Sequence, residues 1–565
     1  MRKHLKERKH DHRPSSVSPP AQSRRECVLL AICVLLLCGI FLGKAYNIDD
    51  PLTVWTAQRI AAHPADFYGF HINWYGTFSP MPLIDLNPPG TAYYLAPFGI
   101  ISKWHESALH IAIAFASTAL ILGIYFLARQ MNGHQLTAAV FALVCPGVFV
   151  SMGTVMTDLP MTALWVWVIL LWRLGLENER PGLNAAAGVL IGLAALVKYF
   201  AMSLIPLLFV YTLFFGRKRR LAWLLIPVAI LIIFELYTWH FYGTGHLRII
   251  AGQAERYYSV STVNYGRKFL TGLTFLGAGA APALFVAPLL WRNRKIFWIA
   301  AATVAIITIF LKQSGWQPSE VQISFGWGFW IQYCICLLSG IHIVALFAAE
   351  LWHCRDRDAL LFCLWLGGVF FYSVVIYHLV NIRVILPAFP AVALLCARRL
   401  NNVQAECGLS VRRRTVHAAV VWAAFFVSLG LSLCVACADI SLANSSRTAA
   451  EIIAPEKRSG STWFSGHWGF QYYMEARGAK PIDVNHQDFQ PGDTVATPLN
   501  ASNIFLTRPR VAFTDQSFEL PVLRWVTTMR AERGAGFHAD LWGPLPFVFG
   551  PVPVERYQVI VLGER

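Results

Sequence analysis

The sequence is poor in charged residues, and this scarcity excludes an ordinary soluble protein. Asp, Glu, Lys and Arg make up only 14% of the 565 residues, against about 25% in a typical soluble chain. Hydrophobic residues account for 56% of the chain, and the mean hydropathy is +0.49. They are concentrated in runs of about 14 to 22 residues, most of which are long enough to cross ~30 Å of hydrocarbon. The composition therefore predicts a polytopic α-helical membrane protein.

Several chemical signatures are also missing. There is no Walker A pattern, no dinucleotide-type Gly-rich turn and no His-Glu-x-x-His, which argues against a nucleotide-using enzyme. Cysteine is absent from residues 44–106 and from the segment after Cys437, so we expect no disulfides and no Cys metal site. His63, His71 and His105 share residues 44–106, but their spacing is not a metal signature. We therefore predict no protein-bound metal.

The chain has a formal charge of +16, but we do not expect it to bind nucleic acid. Its Lys and Arg residues lie in short loops between apolar runs, where they set the orientation of a membrane protein. Clusters such as Arg217-Lys218-Arg219-Arg220 and Arg412-Arg413-Arg414 predict cytoplasmic loops. Residues 1–26 are polar and basic and are predicted to form a disordered cytoplasmic tail. Cys27–Gly43 is then an uncleaved first span, because no small-residue cleavage site follows it.

About thirteen spans can be drawn, at roughly 27–43, 107–127, 136–153, 160–174, 184–197, 200–215, 221–241, 271–291, 296–311, 330–350, 359–379, 384–397 and 416–437. Only Lys198 divides the pair at 184–215, but merging that pair would move the basic loops outside, against the charge bias. An odd number of spans places residues 438–565 outside. That segment is charged and has short β-like runs, so we expect a small extracytoplasmic α/β domain after a transmembrane domain at 27–437.

The loop at residues 44–106 is predicted to lie outside, and it carries the acidic pair Asp49-Asp50. Pro51 can take the first position of a helix with Asp50 as its N-cap. Capping explains Asp50 but not Asp49. Both are therefore candidate catalytic residues, with helix capping as the alternative. Residues 91–103 are apolar but too short to cross the membrane, and they are predicted to form an interfacial helix.

Six further residues on the predicted outer face are candidates for binding a donor phosphate or substrate: Arg59, Asn87, Tyr93, Asp158, Lys198 and Arg383. Structural explanations compete with these roles. Arg59 can be solvated, the turn at Asn87 can serve only as an entry to the next helix, and Asp158 can cap a span. Lys198 can snorkel to the interface or hold an anion in a cavity. Arg383 can be a flanking charge or bind a phosphate through two parallel hydrogen bonds.

Together these residues provide two carboxylate sites and at least two cations on one face of the membrane. Such a set suits a reaction whose leaving group is the phosphate of a lipid. The cations would neutralise the departing phosphate, and a carboxylate would accept the proton of an attacking hydroxyl, a contribution worth roughly 10²–10⁴ in rate. The residues therefore predict chemistry on a lipid phosphate at the membrane surface.

The order and sidedness of these motifs resemble the membrane glycosyltransferases of the type-C fold. The branch that the chain resembles contains bacterial relatives of protein O-mannosyltransferases and of the aminoarabinose transferase that modifies lipid A. The resemblance covers residues 27 to about 400, and it rests on Asp49-Asp50; on Asn87-Pro88-Pro89 with Tyr93-Tyr94; on Gly192-Leu193-Ala194-Ala195-Leu196-Val197-Lys198; and on Arg383 with Leu386-Pro387 and Pro390. The family often has His or Glu-Lys before Pro-Pro, where this chain has Leu86-Asn87, and its second acid is commonly Glu rather than Asp50.

The resemblance implies transfer of a sugar, with inversion, from a polyprenyl-phosphate donor to an acceptor hydroxyl or phosphate. The reaction would take place on the outer face of a bacterial inner membrane, with Asp49 as the base. The implied partners are membrane lipids, the lipid-linked donor, and a glycolipid, glycan or protein acceptor. No further cofactor is implied, and the participation of a divalent cation is left open.

A transporter or lipid flippase is the alternative, because many spans with ionisable residues suit such a protein equally well. Against it, the two halves of the sequence show no internal repeat, which many transporters have. The polar residues also gather on one face rather than at mid-membrane. A non-catalytic scaffold or sensor would leave the loop at 44–106 unexplained.

Overall fold

The computed structural model describes residues 20–131, 133–260, 263–291, 293–319, 323–406, 411–454, 460–486, 488–500 and 513–563. The helices are α1 Pro20–Cys38, α2 Asp50–Ala62, α3 Met81–Ile84, α4 Gly90–Ser102, α5 Glu106–Gln130, α6 Gln135–Leu143, α7 Pro146–Ser151, α8 Asp158–Glu177, α9 Pro181–Val197, α10 Leu204–Phe215, α11 Leu225–Tyr242, α12 His246–Val260, α13 Tyr265–Gly279, α14 Pro282–Phe285, α15 Ala287–Leu290, α16 Arg294–Gln313, α17 Trp327–Cys354, α18 Arg357–Phe371, α19 Ile382–Ile385, α20 Ala388–Glu406, α21 Val411–Ile453 and α22 Trp468–Ala476. The strands are β1 His71–Asn73, β2 Phe78–Pro80, β3 Thr462–Phe464, β4 Lys480–Pro481, β5 Thr494–Pro498, β6 Phe513–Leu520, β7 Val526–Thr527, β8 Met529–Arg530, β9 Ala535–Gly536, β10 Val548–Phe549 and β11 Glu555–Leu562.

Helices dominate the fold. Among the described residues, seven helical segments are long and apolar enough to cross a membrane: Glu106–Gln130, Asp158–Glu177, Lys218–Tyr242, Arg294–Gln313, Trp327–Cys354, Arg357–Ile376 and Thr415–Ile453. Two shorter apolar segments, Pro181–Val197 and Tyr199–Phe215, accompany them. The chain is therefore a polytopic helical membrane protein, and the count of thirteen spans remains a prediction.

Proline divides two of the predicted spans. The span predicted at 136–153 consists of α6 and α7, because Pro146 has no N–H to continue a helix and instead begins a new one. The span predicted at 271–291 is divided in the same way, since α13 ends at Gly279 and α14 begins at Pro282. Hydropathy detects these apolar runs but not the breaks within them.

Basic residues that the charge pattern assigns to the cytoplasm meet at one end of the helices. The Glu350 carboxylate forms ion pairs with Arg398 Nε at 3.1 Å and with Arg399 Nε at 2.8 Å. Arg173, near the end of α8, pairs with Asp358 at the start of α18. Because α8 rises 1.5 Å per residue, Asp158 at its start lies roughly 20 Å along the axis from Arg173. The candidate site described below is therefore at the other end of α8.

The segment after α21 contains a mixed sheet. Its five strands pair in the order β4-β3-β5-β11-β6. Strand β3 is parallel to β4 and β5, whereas β11 is antiparallel to β5 and β6. Helix α22 packs on this sheet through Phe470, whose ring lies 6.0 Å from Phe464 and 5.6 Å from Tyr557. Helix α21 continues to Ile453, so the boundary predicted between 437 and 438 falls inside a helix.

Candidate functional site

Asp49 and Arg383 form an ion pair, although 334 residues separate them in the sequence. Arg383 Nη1 lies 2.6 Å from Asp49 Oδ2, and the two side chains are 16% and 35% exposed, so a substrate can still reach the carboxylate. Burial disfavours the guanidinium charge, but the carboxylates of Asp49 and Asp158 outweigh this effect and raise the pKa of Arg383. Asp158 therefore lies close enough to act on the same cation.

The C-terminal segment holds Arg383 in place. The backbone N–H of Ile382 donates to the carbonyl of Phe537 at 3.1 Å, and the N–H of Asp540 donates to the carbonyl of Val380 at 3.0 Å. These two bonds pair the residues directly before Arg383 with residues 537–540. The position of the guanidinium thus depends on a part of the chain that begins more than 150 residues later.

Lys198 and Asp158 form a second ion pair. Lys198 directly follows α9 in an extended conformation, and Asp158 is the first residue of α8. Lys198 Nζ donates to Asp158 Oδ1, with the side chains 12% and 3% exposed. The alternative explanation of Asp158, that it caps α8, does not apply, because the N-cap position belongs to Thr157 and no side chain caps the helix there. The Asp158 carboxylate instead binds Lys198, the residue directly before the short 3-10 helix Tyr199–Ser203.

The turn at Asn87-Pro88-Pro89 leads into a close contact with the backbone just before Lys198. A Cβ on Gly90 would lie 2.5 Å from the carbonyl oxygen of Leu196. Only glycine allows α4 to begin so close to the end of α9. This contact brings the Pro-Pro turn and the lysine motif, far apart in the sequence, next to each other.

Sequence reasoning missed Asp85, which also belongs to this cluster. Its Oδ1 accepts the backbone N–H of Asn87 at 3.0 Å and the Asn87 side-chain amide at 3.2 Å. Burial raises the pKa of Asp85 to about 6; Asn87 and Lys198 oppose this rise, and Asp49 adds to it. Asp85 therefore lies near both Asp49 and Lys198. The signal in the sequence that could have identified Asp85 is its position two residues before the Asn-Pro-Pro turn.

The side chain of Asp50 is buried, whereas that of Asp49 is partly exposed. Its Oδ2 accepts the N–H of Asn47 at 2.9 Å, and its Oδ1 accepts the N–H of Val155 at 2.7 Å. Burial raises the pKa of this fully buried carboxyl to about 7. The prediction that Asp50 is the N-cap is wrong, since α2 begins at Asp50 and the N-cap position belongs to Asp49. Asp50 thus joins the loop that carries Asp49 to the segment just before Asp158.

Two other candidates are engaged elsewhere. Arg59 pairs with the Asp66 carboxylate, and its Nε donates to the Asp66 carbonyl at 3.0 Å. The Tyr93 hydroxyl donates to the carbonyl of Pro64 at 2.5 Å. These bonds fix the loop around residues 64–66, and the structure does not join either side chain to the ion pairs of Asp49 and Asp158.

The site combines two cations with three carboxylates. It gathers the cations Lys198 and Arg383 with the carboxylates of Asp49, Asp85 and Asp158. Across the described ranges, no three His, Cys, Asp or Glu side chains are grouped so that they could hold a metal ion. Both cations are paired with carboxylates, so an anion such as a phosphate would have to displace Asp49 or Asp158 from them, and the displaced carboxylate would then be free for acid–base chemistry.

Residues 86–239 match the family of dolichyl-phosphate-mannose-protein mannosyltransferases. No curated protein sequence matches the chain significantly. An oligosaccharyltransferase from Archaeoglobus fulgidus is 14% identical, with a TM-score of 0.49 over 81% of this chain and 63% of that one. ArnT from Cupriavidus metallidurans, solved with undecaprenyl phosphate, is 15% identical, with a TM-score of 0.45 over 85% of this chain and 94% of that one. The mycobacterial arabinofuranosyltransferase AftD is 13% identical, with a TM-score of 0.42 over 96% of this chain and 40% of that one.

The family match confirms the resemblance to type-C membrane glycosyltransferases that the motifs predict. The matched residues contain the turn at Asn87, the tyrosine at Tyr93, and the Asp158 and Lys198 positions. Asp49 and Arg383 lie outside the match. Their ion pair joins them to the matched part of the chain through Asp158.

Proposed function

We propose that the chain is a glycosyltransferase that moves a sugar from a polyprenyl-phosphate donor to an acceptor, with inversion at the sugar carbon and Asp49 as the base. The observation that carries this proposal is the ion pair of Asp49 with Arg383 beside that of Asp158 with Lys198. A base and the cations for a leaving phosphate then share one site. The site faces the outer side of a bacterial inner membrane.

Arg383 and Lys198 bind the donor phosphate in this proposal. One guanidinium nitrogen, Nη1, contacts Asp49, and the planar group can present further N–H donors to two phosphate oxygens. The Lys198 ammonium has three donors, and Asp158 accepts one of them. When a phosphate arrives, it competes with the two carboxylates for these cations. Donor binding then loosens Arg383 from Asp49 and leaves the carboxylate free to act as a base.

The chemical step is a single displacement. The acceptor oxygen attacks the anomeric carbon while Asp49 takes its proton, and the bond from that carbon to the phosphate oxygen breaks with its electron pair. Polyprenyl phosphate leaves with its charge held by the two cations. Because the acceptor enters opposite the leaving group, the anomeric configuration inverts. The other Asp49 oxygen, Oδ1, accepts no hydrogen bond from the described part of the chain, and this oxygen receives the proton.

The test uses purified full-length protein in nanodiscs with a panel of polyprenyl-phosphate monosaccharides: mannose, glucose and arabinose. Release of polyprenyl phosphate and transfer of labelled sugar are measured together. Asp49→Asn should lower turnover by more than ~10²-fold, because a general base is lost.

The matched control is Asp66→Asn. Asp66 is 34% exposed and pairs with one arginine, much as Asp49 does at 35%, so this variant should keep its turnover. Movement of intact donor lipid across the bilayer without sugar release would contradict the proposal and favour a flippase.

A further inference from the structure

The C-terminal segment packs directly against the backbone that leads to Asp49. A Cβ on Gly469, in the first turn of α22, would lie 1.9 Å from the carbonyl oxygen of Tyr46 and 3.4 Å from Asn47 Cα. The N–H of Tyr46 also donates to the Tyr473 hydroxyl at 2.8 Å. The start of α22 is therefore fixed two to three residues from the proposed base.

The same segment is bonded to the other side of the loop. Gln471 Nε2 donates to the Asn73 carbonyl at 2.8 Å, and Asn73 Nδ2 donates to the Ile482 carbonyl at 3.0 Å. The N–H of Val484 donates to the Gly76 carbonyl at 2.8 Å. Residues 46–47, residues 73–76 and the C-terminal segment thus pack against one another, and together they form one wall beside Asp49.

His467 lies in this wall, where residues 73–76 meet the start of α22. Its ring centroid lies 5.3 Å from that of Trp74, 6.1 Å from Tyr75 and 5.0 Å from Trp468. The residue is only 2% exposed, whereas the neighbouring Tyr75 is 60% exposed, so the wall is open on that side. Within the described residues, the buried Nδ1 of His467 has no hydrogen-bond partner. A buried polar atom without a partner is costly, so tilted and edge-on aromatic contacts hold the ring in a position where the described residues do not satisfy this nitrogen.

The electrostatic surroundings of His467 differ from those of Lys198 and Arg383. Burial lowers the pKa of His467 to about 4, and the Asp49 carboxylate opposes that shift. The imidazole is therefore neutral at physiological pH, with one nitrogen as donor and the other as acceptor. The charge that acts on it is a carboxylate. A neutral imidazole with one donor and one acceptor nitrogen matches a hydroxyl, which can also donate and accept.

We propose that His467 is an acceptor-binding residue that hydrogen-bonds the attacking hydroxyl of a carbohydrate and holds it toward Asp49. This inference rests on the proposed glycosyltransferase function and assigns the acceptor side of the same site. The ring of Tyr75, which is 60% exposed, provides a flat apolar face against which the C–H face of a sugar can pack, while the buried rings of Trp74 and Trp468 hold the imidazole. In this proposal the acceptor hydroxyl attacks the anomeric carbon from the face opposite the leaving phosphate, as displacement with inversion requires.

The experiment separates acceptor binding from donor binding in the full-length protein. In nanodiscs, with the donor that the wild type turns over, transfer is measured to n-octyl mannoside, to a serine-containing peptide and to dodecyl phosphate, together with hydrolysis of the donor by water. His467→Phe keeps a ring between Trp74 and Trp468 but cannot hydrogen-bond. It should lower kcat/KM for octyl mannoside about tenfold, while the donor KM and donor hydrolysis change less than about twofold. His467→Gln, which keeps a neutral donor and acceptor, should recover part of the loss.

The matched control is His486→Gln, because His486 is exposed in the same C-terminal segment; it should match the wild type. Equal losses in donor hydrolysis and transfer would overturn the acceptor role, as would a wild type that prefers dodecyl phosphate or the peptide. Should His467→Phe fail to fold, the comparison of His467→Gln with His486→Gln tests the same difference between transfer to the acceptor and hydrolysis of the donor. Absence of any donor turnover by the wild type would instead overturn the glycosyltransferase proposal itself.

Discussion

Replacing Asp50 with Asn should destabilise the protein, although the two side chains are nearly equal in size. Both carboxylate oxygens of Asp50 accept backbone N–H groups, from Asn47 at 2.9 Å and from Val155 at 2.7 Å. An amide has only one acceptor oxygen, and its NH₂ group would face an N–H donor. One buried N–H therefore loses its partner, which costs about 1–3 kcal/mol of unfolding free energy.

Asp49→Asn is the matched comparison, since it makes the same chemical change one residue away. The Asp49 side chain is 35% exposed and its ion pair with Arg383 is partly open to solvent, so its loss should cost only ~0–1 kcal/mol. Thermal unfolding in nanodiscs, followed by intrinsic fluorescence, should show a lower apparent melting temperature for Asp50→Asn and almost none of that change for Asp49→Asn. Below both melting temperatures, Asp49→Asn should be the less active of the two.

The effect of Asp50→Asn should also depend on pH. Burial raises the pKa of Asp50 from 3.8 to about 7, so between these values the folded protein binds a proton that the unfolded chain releases. Stability from this group is full below pH ~4 and is lost as the pH rises through ~7. The melting temperature of the wild type should therefore fall toward that of the variant between pH 5 and pH 8.

Two results would refute this account of Asp50. One is a melting temperature for Asp50→Asn equal to that of the wild type, together with a loss of transfer as large as that of Asp49→Asn. That outcome would mean that the Asp50 carboxylate reacts with substrate rather than supporting the loop. The other is a stability difference between the wild type and Asp50→Asn that widens as the pH rises, which would reverse the sign of the linkage.

Arg383→Lys keeps the charge but loses the planar fork, so the donor KM should rise about tenfold; an unchanged donor KM would show that the phosphate is held elsewhere. Gly469→Ala should lower the melting temperature and expose residues 460–486 to protease, because its Cβ would lie 1.9 Å from the Tyr46 carbonyl; Gly367→Ala, with nothing within 4 Å of its Cβ, is the control. Reporter fusions beside Lys218 and Arg413 should report the cytoplasm and a fusion at the C-terminus the opposite side; a cytoplasmic C-terminus would mean that one span is miscounted.

Hydropathy and motif order account for the parts of the site that could be predicted. Apolar runs indicate membrane helices whatever the tertiary fold, because the bilayer requires them. The motifs around Asn87 and Lys198 also sit at helix boundaries, where local backbone rules already limit the conformation. Their predicted membership in one site is supported by the contact of Gly90 with Leu196.

Local patterns could not assign the partners of the charged residues. Arg59 was expected to bind a phosphate because nothing nearby in the sequence shows that Asp66 folds back onto it. Asp50 was a candidate catalytic residue, with helix capping as the alternative, and the N–H of Val155 that it accepts comes from a segment 105 residues away. Asp85 was missed because its burial, and so its raised pKa, depends on elements that the sequence around it does not contain.

The sequence by itself determined that this chain is a helical membrane protein with acidic and basic groups placed near helix ends, because hydrophobicity and turn chemistry act locally. Only the tertiary structure decided which charges meet. Asp49 and Arg383 are 334 residues apart in the sequence, and their ion pair forms because the helices that connect them pack together. His467 reaches the same region because α22 rests on Tyr46, a contact without any local signal. Ion pairs and aromatic stacks form over a few ångströms of space, and chain distance does not record that proximity.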